Sequence, residues 1–501
     1  MRIALVMILL AACTTAVSVM LASGGEAAKA GLHADGLPPD TESEIKEVVA
    51  NIDRIEADAL KSASSRSFDP HQQVITLGKL LLFDKQLSVN RNESCTFCHM
   101  PETGFTGPIS SLNATTVAYP GSVRTRFSQR KPQTHTYATF APILHYNVLQ
   151  GDLVGGNFWD MRATGTRLGN PAAEQAQAPP LNAVEMGFPD SACVVYRLSQ
   201  SPYRWLFEKV WGAEAFAIRW PTDVERVCAK PAPATSDDPL PVHLSPDDRG
   251  NSNRTYDEMG QAIAQYEAWP EVSPFSSKYD YVQGGKVKFT PQEQRGYNLF
   301  RSSRSHCNEC HRDGGPGEEP LFTDFTASNL GLPKNSAIPF YRESVPDEYG
   351  YAANPSGLEF IDEGVGGYLL LQQPGQQLSG RPNPNTEWAS LAPKFKGKFQ
   401  TPTLRNVDKR PRPDFVKAYM HNGYLKSLKE VVHFYNTRDT LPQCIGAHDS
   451  RERVGCWPAP EVPANENRKQ LGSLGLTDSE EDDIVAFLQT LTDGYDAGNV
   501  K

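Results

Sequence analysis

Along this 501-residue chain, apolar positions recur at helical spacing in short, separate stretches rather than in strict alternation. Leu77-Gly78-Lys79-Leu80-Leu81-Leu82-Phe83 has the spacing of a short helix, and Gln292 to Phe300 repeats it in the second half. Met259 to Ala268 also reads as helical. Near the far end, Thr477 with Glu480 three residues on has the form of a capping box, and Ile484, Phe487, Leu488 and Leu491 follow as one apolar stripe. Glu480, Glu481, Asp482 and Asp483 suit the positive end of that helix's dipole and are read as capping.

Elsewhere the pattern breaks. Ala229 to Asn253 is rich in Pro, Asp and Ser, Pro333 to Lys398 is rich in Gly, Pro and Asn, and both read as surface insertions. Pro270 to Lys288 is punctuated in the same way, which puts a boundary between two units near residues 270 to 290. With 39 glycines and 39 prolines, long irregular loops should connect fairly short helices, so the fold class expected is mainly α.

The amino terminus has a different pattern. Arg2 precedes an apolar run from Ile3 to Leu21, followed by small residues and Ala27-Ala28-Lys29-Ala30, the form of a secretory signal over residues 1–30. Leu10-Ala11-Ala12-Cys13 also has the form of a lipoprotein cleavage box, an alternative that would leave Cys13 as a lipid anchor. No later apolar stretch approaches the roughly 20 residues of a membrane span. The expected place is periplasmic. The formal charge of −10 becomes −11 once Arg2, Lys29 and Glu26 leave with the signal. An acidic chain of this kind is a poor nucleic-acid binder and a fitting partner for a basic protein.

Two Cys-x-x-Cys-His pentads, Cys95-Thr96-Phe97-Cys98-His99 and Cys307-Asn308-Glu309-Cys310-His311, carry the chemistry. Each thiol can add across a haem vinyl group, and the histidine after the second thioether is held where its imidazole can ligate the iron. Zinc would need a second Cys-x-x-Cys or a His-x-x-x-His nearby, and neither pentad has one. The chain is therefore expected to hold two covalently bound haem c groups in two cytochrome c-like domains, residues 31–275 and 291–501, joined by a linker at 276–290. Besides Cys13, four cysteines remain. In an exported protein Cys193 with Cys228 and Cys444 with Cys456 would close the shortest loops.

At this point the residues resemble a family. Phe158-Trp159-Asp160-Met161-Arg162-Ala163, Gln175-Ala176 and Asn182-Ala183-Val184-Glu185-Met186 are similar to first-domain motifs of the bacterial dihaem cytochrome c peroxidase and MauG family. Phe322-Thr323-Asp324-Phe325, Thr401 to Val407, Tyr419-Met420-His421-Asn422-Gly423 and Asp483 to Leu488 stand in that family's second-domain order. The resemblance implies a division of labour, in which the haem on His99 meets hydrogen peroxide and the haem on His311 stores or relays electrons. It implies that Glu185 is the acid–base glutamate and Gln175 its companion. Read alone, they would be a surface charge and a solvated helix residue. Trp159 is either a core aromatic or a residue beside a haem.

The resemblance also bears on the branch of the family. Many members carry a distal histidine about sixteen residues beyond the first pentad, but here that position falls near Thr115, and no histidine occurs between His99 and His135. An open distal face on the first iron is expected. On the second iron, the place of the usual methionine holds Tyr435, as in MauG-like proteins, with His433 and Met420 as alternatives. Phenolate is a hard anionic donor that favours high-valent iron.

Two departures limit the likeness. Ser305 replaces a tryptophan two residues before the second pentad, and Lys131 stands where the family's interdomain calcium takes an asparagine, so an ammonium there would repel calcium. The expected activity is a MauG-like peroxidase. Its electron donor would be a small redox protein, a cytochrome c or cupredoxin, or else a side chain of a protein substrate, particularly tryptophan. The remaining alternative is a dihaem cytochrome that only transfers electrons.

Overall fold

The computed structural model describes residues 40–65, 69–232, 240–315, 317–371, 377–378, 381–382, 386–444, 455–496 and 498. The signal segment and Cys13 lie outside them. The fold is mainly helical, and the strands among the described residues are two- or three-residue pieces paired in twos. Helices α1 (Thr41–Ser65), α2 (Pro70–Phe83), α3 (Pro171–Ala176), α4 (Ser191–Ser199) and α5 (Pro246–Glu267) belong to the first half. Helices α6 (Pro291–Phe300), α7 (Leu428–Thr437) and α8 (Asp478–Gln489) belong to the second.

The helix starts follow from local chemistry. Asp69 caps α2 with Pro70 in the first turn, and Asn170 caps α3 with Pro171 there. Thr290 with Glu293, Ser427 with Glu430 and Thr477 with Glu480 form complete capping boxes on α6, α7 and α8. The acidic residues of α8 do more than the capping read from the sequence. Glu480 pairs with Arg304 at 2.6 Å, Asp482 with Lys429 at 2.8 Å and Asp483 with Arg295 at 2.8 Å, while buried Glu481 meets His433 at 3.0 Å. They fasten α8 to its neighbours.

The same crossing occurs once in each half. Gly78 of α2 sits so close to α5 that an added Cβ would collide with the carbonyl of Ala262, and Gly296 of α6 meets the carbonyl of Asp483 on α8 in the same way. Only a residue without a side chain allows either approach. The two larger hydrophobic cores among the described residues form around these crossings. One is built around Leu77, Leu80, Leu81, Phe97 and Ile263, the other around Phe300, Phe322, Phe434, Ile484 and Phe487.

Two stretches read as surface insertions are otherwise. Helix α5 begins at Pro246, inside the segment 229–253, because Ser245 caps it and Pro246, Asp247 and Asp248 form a favourable first turn. In the segment 333–398, Ile338, Phe340 and Tyr341 are buried in the first core. Their burial comes from contacts across the chain, which leave no local period. The disulfides Cys193–Cys228 and Cys444–Cys456 are both present. No helix among the described residues is long and apolar enough to cross a membrane.

Candidate haem cavities

The two pentads open on two cavities. The first, of about 560 Å³, is lined by Cys95, Cys98, His99, Trp159, Gln175 and Glu185. The second is lined by Cys307, Cys310, His311, Trp159, Met420 and Tyr435. Trp159 lines both cavities, whereas His433 and Thr115 line neither.

Each histidine is set by the same device. The Nδ1–H of His99 donates to the carbonyl of Phe105 at 3.2 Å, and that of His311 to the carbonyl of Phe322 at 3.0 Å. Both phenylalanines are left-handed, at φ 53° and 54°. Backbone strain of this kind persists only where surrounding structure imposes it. The bond leaves Nε2 of each ring as the free lone pair, and burial holds both imidazoles below their ordinary pKa, in the neutral form a metal requires. A Phe-Thr pair follows each pentad, Phe105-Thr106 and Phe322-Thr323; only the second figured among the family motifs, and neither pointed to this bond.

Cys95, Cys98, Cys307 and Cys310 are free thiols. Burial pushes Cys95 up to about 12 and Cys307 up to about 11, the opposite of an activated redox pair. Unpaired thiols beside a neutral histidine with a free Nε2 fit a covalently attached haem in each cavity.

Glu185 sits in a tight turn. Its backbone N–H donates to the carbonyl of Asn182 at 3.0 Å, its own carbonyl accepts from Ser122 N at 2.7 Å, and its Oε1 accepts from Asn182 Nδ2 at 2.8 Å. Burial raises the carboxyl above its ordinary range, opposed by Arg162, Asn182 and Ser128. Gln175 comes from α3, so two separate elements bring the pair to one cavity. Thr115 caps a five-residue helix, Ser110–Ala114, and its hydroxyl donates to Ser111.

On the second cavity, Val431, Val432 and Tyr435 of α7 face inward, whereas Nδ1 of His433 turns to Glu481. Burial raises Tyr435, so its phenol is neutral unless a metal takes the proton's place. Met420 lines the same cavity with φ 72°. Ser305 lines it too, its hydroxyl donating to the carbonyl of Leu299 at 2.6 Å.

Several groups in these cavities went unread in the sequence. His135 stacks on His99 with ring centroids 3.8 Å apart, and its Nδ1 lies 3.0 Å from Glu267 Oε1 without hydrogen-bond alignment. Stacked rings lie side by side, not on opposite sides of an iron. Arg130 holds Asp362 through two bonds of 2.7 Å and Asp160 through a third of 2.7 Å. The guanidinium groups of Arg162 and Arg130 push Asp160, despite its burial, down to about 2. Arg130 and Asp160 line the first cavity and Asp362 the second, so one ion-pair network spans both.

The residues at the calcium place do not fit calcium. Lys131 Nζ is buried and donates to Thr106 Oγ1 at 3.0 Å and Pro132 O at 2.9 Å. Nearby, Lys417 Nζ donates to the carbonyls of Thr103 at 2.9 Å, Asn406 at 3.2 Å and Lys409 at 2.8 Å. These ammonium groups bind the oxygens a cation would need, and no cluster of three His, Cys, Asp or Glu among the described residues could hold one.

Known proteins similar to this chain point to one family. The family model for di-haem cytochrome c peroxidase matches residues 72–288. The methylamine utilization protein MauG of Paracoccus denitrificans (strain Pd 1222) is 33% identical over 422 residues, covering 83% of this chain and 88% of that protein. The cytochrome-c peroxidase IdrP1 of Denitromonas iodatirespirans is 26% identical, with 83% and 81% covered. Among solved structures, the diheme peroxidase BthA from Burkholderia thailandensis E264 is similar at a TM-score of 0.60 and 25% identity, covering 86% of this chain and 89% of that one. This chain belongs to the di-haem cytochrome c peroxidase and MauG family of peroxidases.

Proposed function

We propose that the chain is a periplasmic peroxidase of the MauG-like branch, with hydrogen peroxide as its oxidant in the first cavity. The observation that carries the reading is Glu185, a carboxyl raised by burial and facing the same cavity as His99 and Gln175. The haems, when bound, supply the iron that takes up peroxide and holds the oxidising equivalents. Glu185 takes the proton from the inner peroxide oxygen and returns it to the outer one, a transfer a positioned carboxyl can accelerate by about 10²–10⁴. Gln175 orients the incoming oxygen through its amide. Asn182 and the Ser122 N–H hold the Glu185 turn so that its carboxyl keeps one direction.

In the second cavity His311 and Tyr435 would hold the haem iron, a reading supported by the inward place of Tyr435 on α7 and by the outward turn of His433 to Glu481. Trp159, bordering both cavities, is the relay between them. The electrons come from outside, from a cytochrome c or cupredoxin, or from a tryptophan of a protein substrate. The test is turnover of peroxide with reduced cytochrome c by the diferric and the prereduced protein. Activity without prereduction supports the MauG-like branch, and activity only after it restores the conventional peroxidase. Tyr435→Phe should change the low-spin EPR signal; an unchanged signal would assign the ligand elsewhere.

A further inference from the structure

The segment after Pro333, far beyond the second pentad, walls the first cavity. Phe340, Tyr351, Ala353 and Phe360 line it together with Glu185. The segment is fixed at several points. Arg126, 2% exposed, donates from Nε to Asp347 Oδ2 at 2.7 Å, and its guanidinium lies 4.6 Å above the Tyr351 ring. Asp347 Oδ1 in turn accepts from the backbone N–H of Tyr349 at 2.9 Å and of Tyr351 at 3.0 Å, closing the loop on itself. Phe127 N donates to Glu343 Oε2 at 3.2 Å. At the other end, Lys334 Nζ donates to the carbonyls of Leu358 at 2.8 Å and Phe360 at 2.5 Å.

The same Arg126 reaches the catalytic side. Its Nη1 donates to the carbonyl of Ala183 at 3.2 Å, two residues before Glu185. One buried guanidinium therefore ties the aromatic wall to the turn that carries the acid–base group. A group held by a planar fork with several bonds has little freedom to move. The Tyr351 side of the wall and the Glu185 turn thus share one buried anchor.

We propose that Tyr351 and Phe360 set the size limit of the oxidant, admitting hydrogen peroxide and small alkyl hydroperoxides to the first cavity and excluding aryl and other bulky hydroperoxides. Arg126 is the positioning residue that keeps the wall in register with Glu185. Apolar walls discriminate by volume, and removing one aromatic ring opens more space than the single methylene that already separates substrates by about 10–200-fold. This inference rests on the peroxidase reading above, and it concerns access rather than chemistry.

Ligand binding to the ferric holoprotein tests it by spectroscopy. Cyanide and imidazole are titrated against the wild type, Tyr351→Ala, Phe360→Ala and Tyr351→Phe, following the Soret band. The two alanine variants should bind imidazole about tenfold or more tighter with cyanide affinity moving less than about threefold, and Tyr351→Phe should behave as the wild type. Phe360→Val, a milder truncation, carries the same expectation if the alanine variants fail to fold. In parallel, the rate of the spectral change with cumene hydroperoxide relative to hydrogen peroxide should rise in the same variants. Imidazole and cyanide affinities that move together, or not at all, would overturn the size-limiting wall. A wild type that shows the ligand selectivity but no response to any peroxide would instead overturn the peroxidase reading.

Discussion

The indole N–H of Trp159 donates to the carbonyl oxygen of Lys131 at 2.9 Å, and the buried ring lies against both cavities. Lys131 N donates to the carbonyl of His421 at 2.8 Å, and Gln400 N to the carbonyl of Trp159 at 2.8 Å, so the ring is anchored to backbone from both halves. Trp159→Phe keeps an aromatic body and loses the N–H. We expect the variant to load both haems, to react with peroxide in the first cavity, and to slow the resulting change in the second-haem EPR signal by about tenfold, a barrier difference of about 1.4 kcal/mol. Rapid-freeze EPR reads that rate. An unchanged rate would move the relay elsewhere.

Glu185 supplies the second expectation. Burial raises its carboxyl, so the acid limb of kcat/KM for peroxide should fall at a pH above the ordinary glutamate value of 4.5. Below that limb the group is protonated and cannot accept the proton. Glu185→Gln should lose about 10²-fold or more in turnover and lose the limb, with thermal stability held because the Asn182 contact can persist through the amide. A full-rate Gln variant would remove Glu185 from the mechanism.

The third concerns stability against pH. Glu267 is raised from 4.5 to about 8 and Glu343 from 4.5 to about 7, both chiefly by burial. A carboxyl raised on folding contributes stability that is present below its unfolded pKa and lost as pH climbs through its folded pKa, here between 4.5 and about 8. His135 and His421, lowered to about 4 and about 3 by burial, act in the opposite sense below their ordinary 6.5. The apparent Tm should therefore rise as pH falls from about 8.5 to about 6.5 and flatten below, a tenfold difference in proton affinity between the folded and unfolded chain being worth about 1.4 kcal/mol. Glu267→Gln should flatten the upper part of that slope. Calorimetry on the holoprotein reads both, and a Tm that falls over the upper range would contradict the assignment.

The fourth concerns calcium. With Lys131 and Lys417 donating to the oxygens at this place, exhaustive chelation should leave the absorption and EPR spectra unchanged, and metal analysis should find calcium well below one per chain. Stoichiometric calcium, or a spectrum restored by adding it, would contradict that expectation.

How much of this was legible depends on the range of the interactions. Covalent chemistry is written locally, so the pentads, both disulfides and the capped helix at Thr477 could be read directly. Gln175, Glu185 and Tyr435 came through family motifs; Gln175 and Glu185 line the first cavity and Tyr435 the second. His135 and Glu267, Arg130 with its two aspartates, and the wall made by Tyr351 and Phe360 join parts of the chain far apart in sequence. Such pairings leave no period or spacing to recognise. The wall was also hidden by composition, because Gly, Pro and Asn mark loops on a surface and loops packed into a core alike.

The most direct measurement adds one equivalent of hydrogen peroxide to the diferric holoprotein and follows absorption and EPR, without prereduction. An immediate change at the first haem, followed by loss of the low-spin signal of the second, is the result this account predicts. No response until the second haem is reduced, or no response at all, would contradict it.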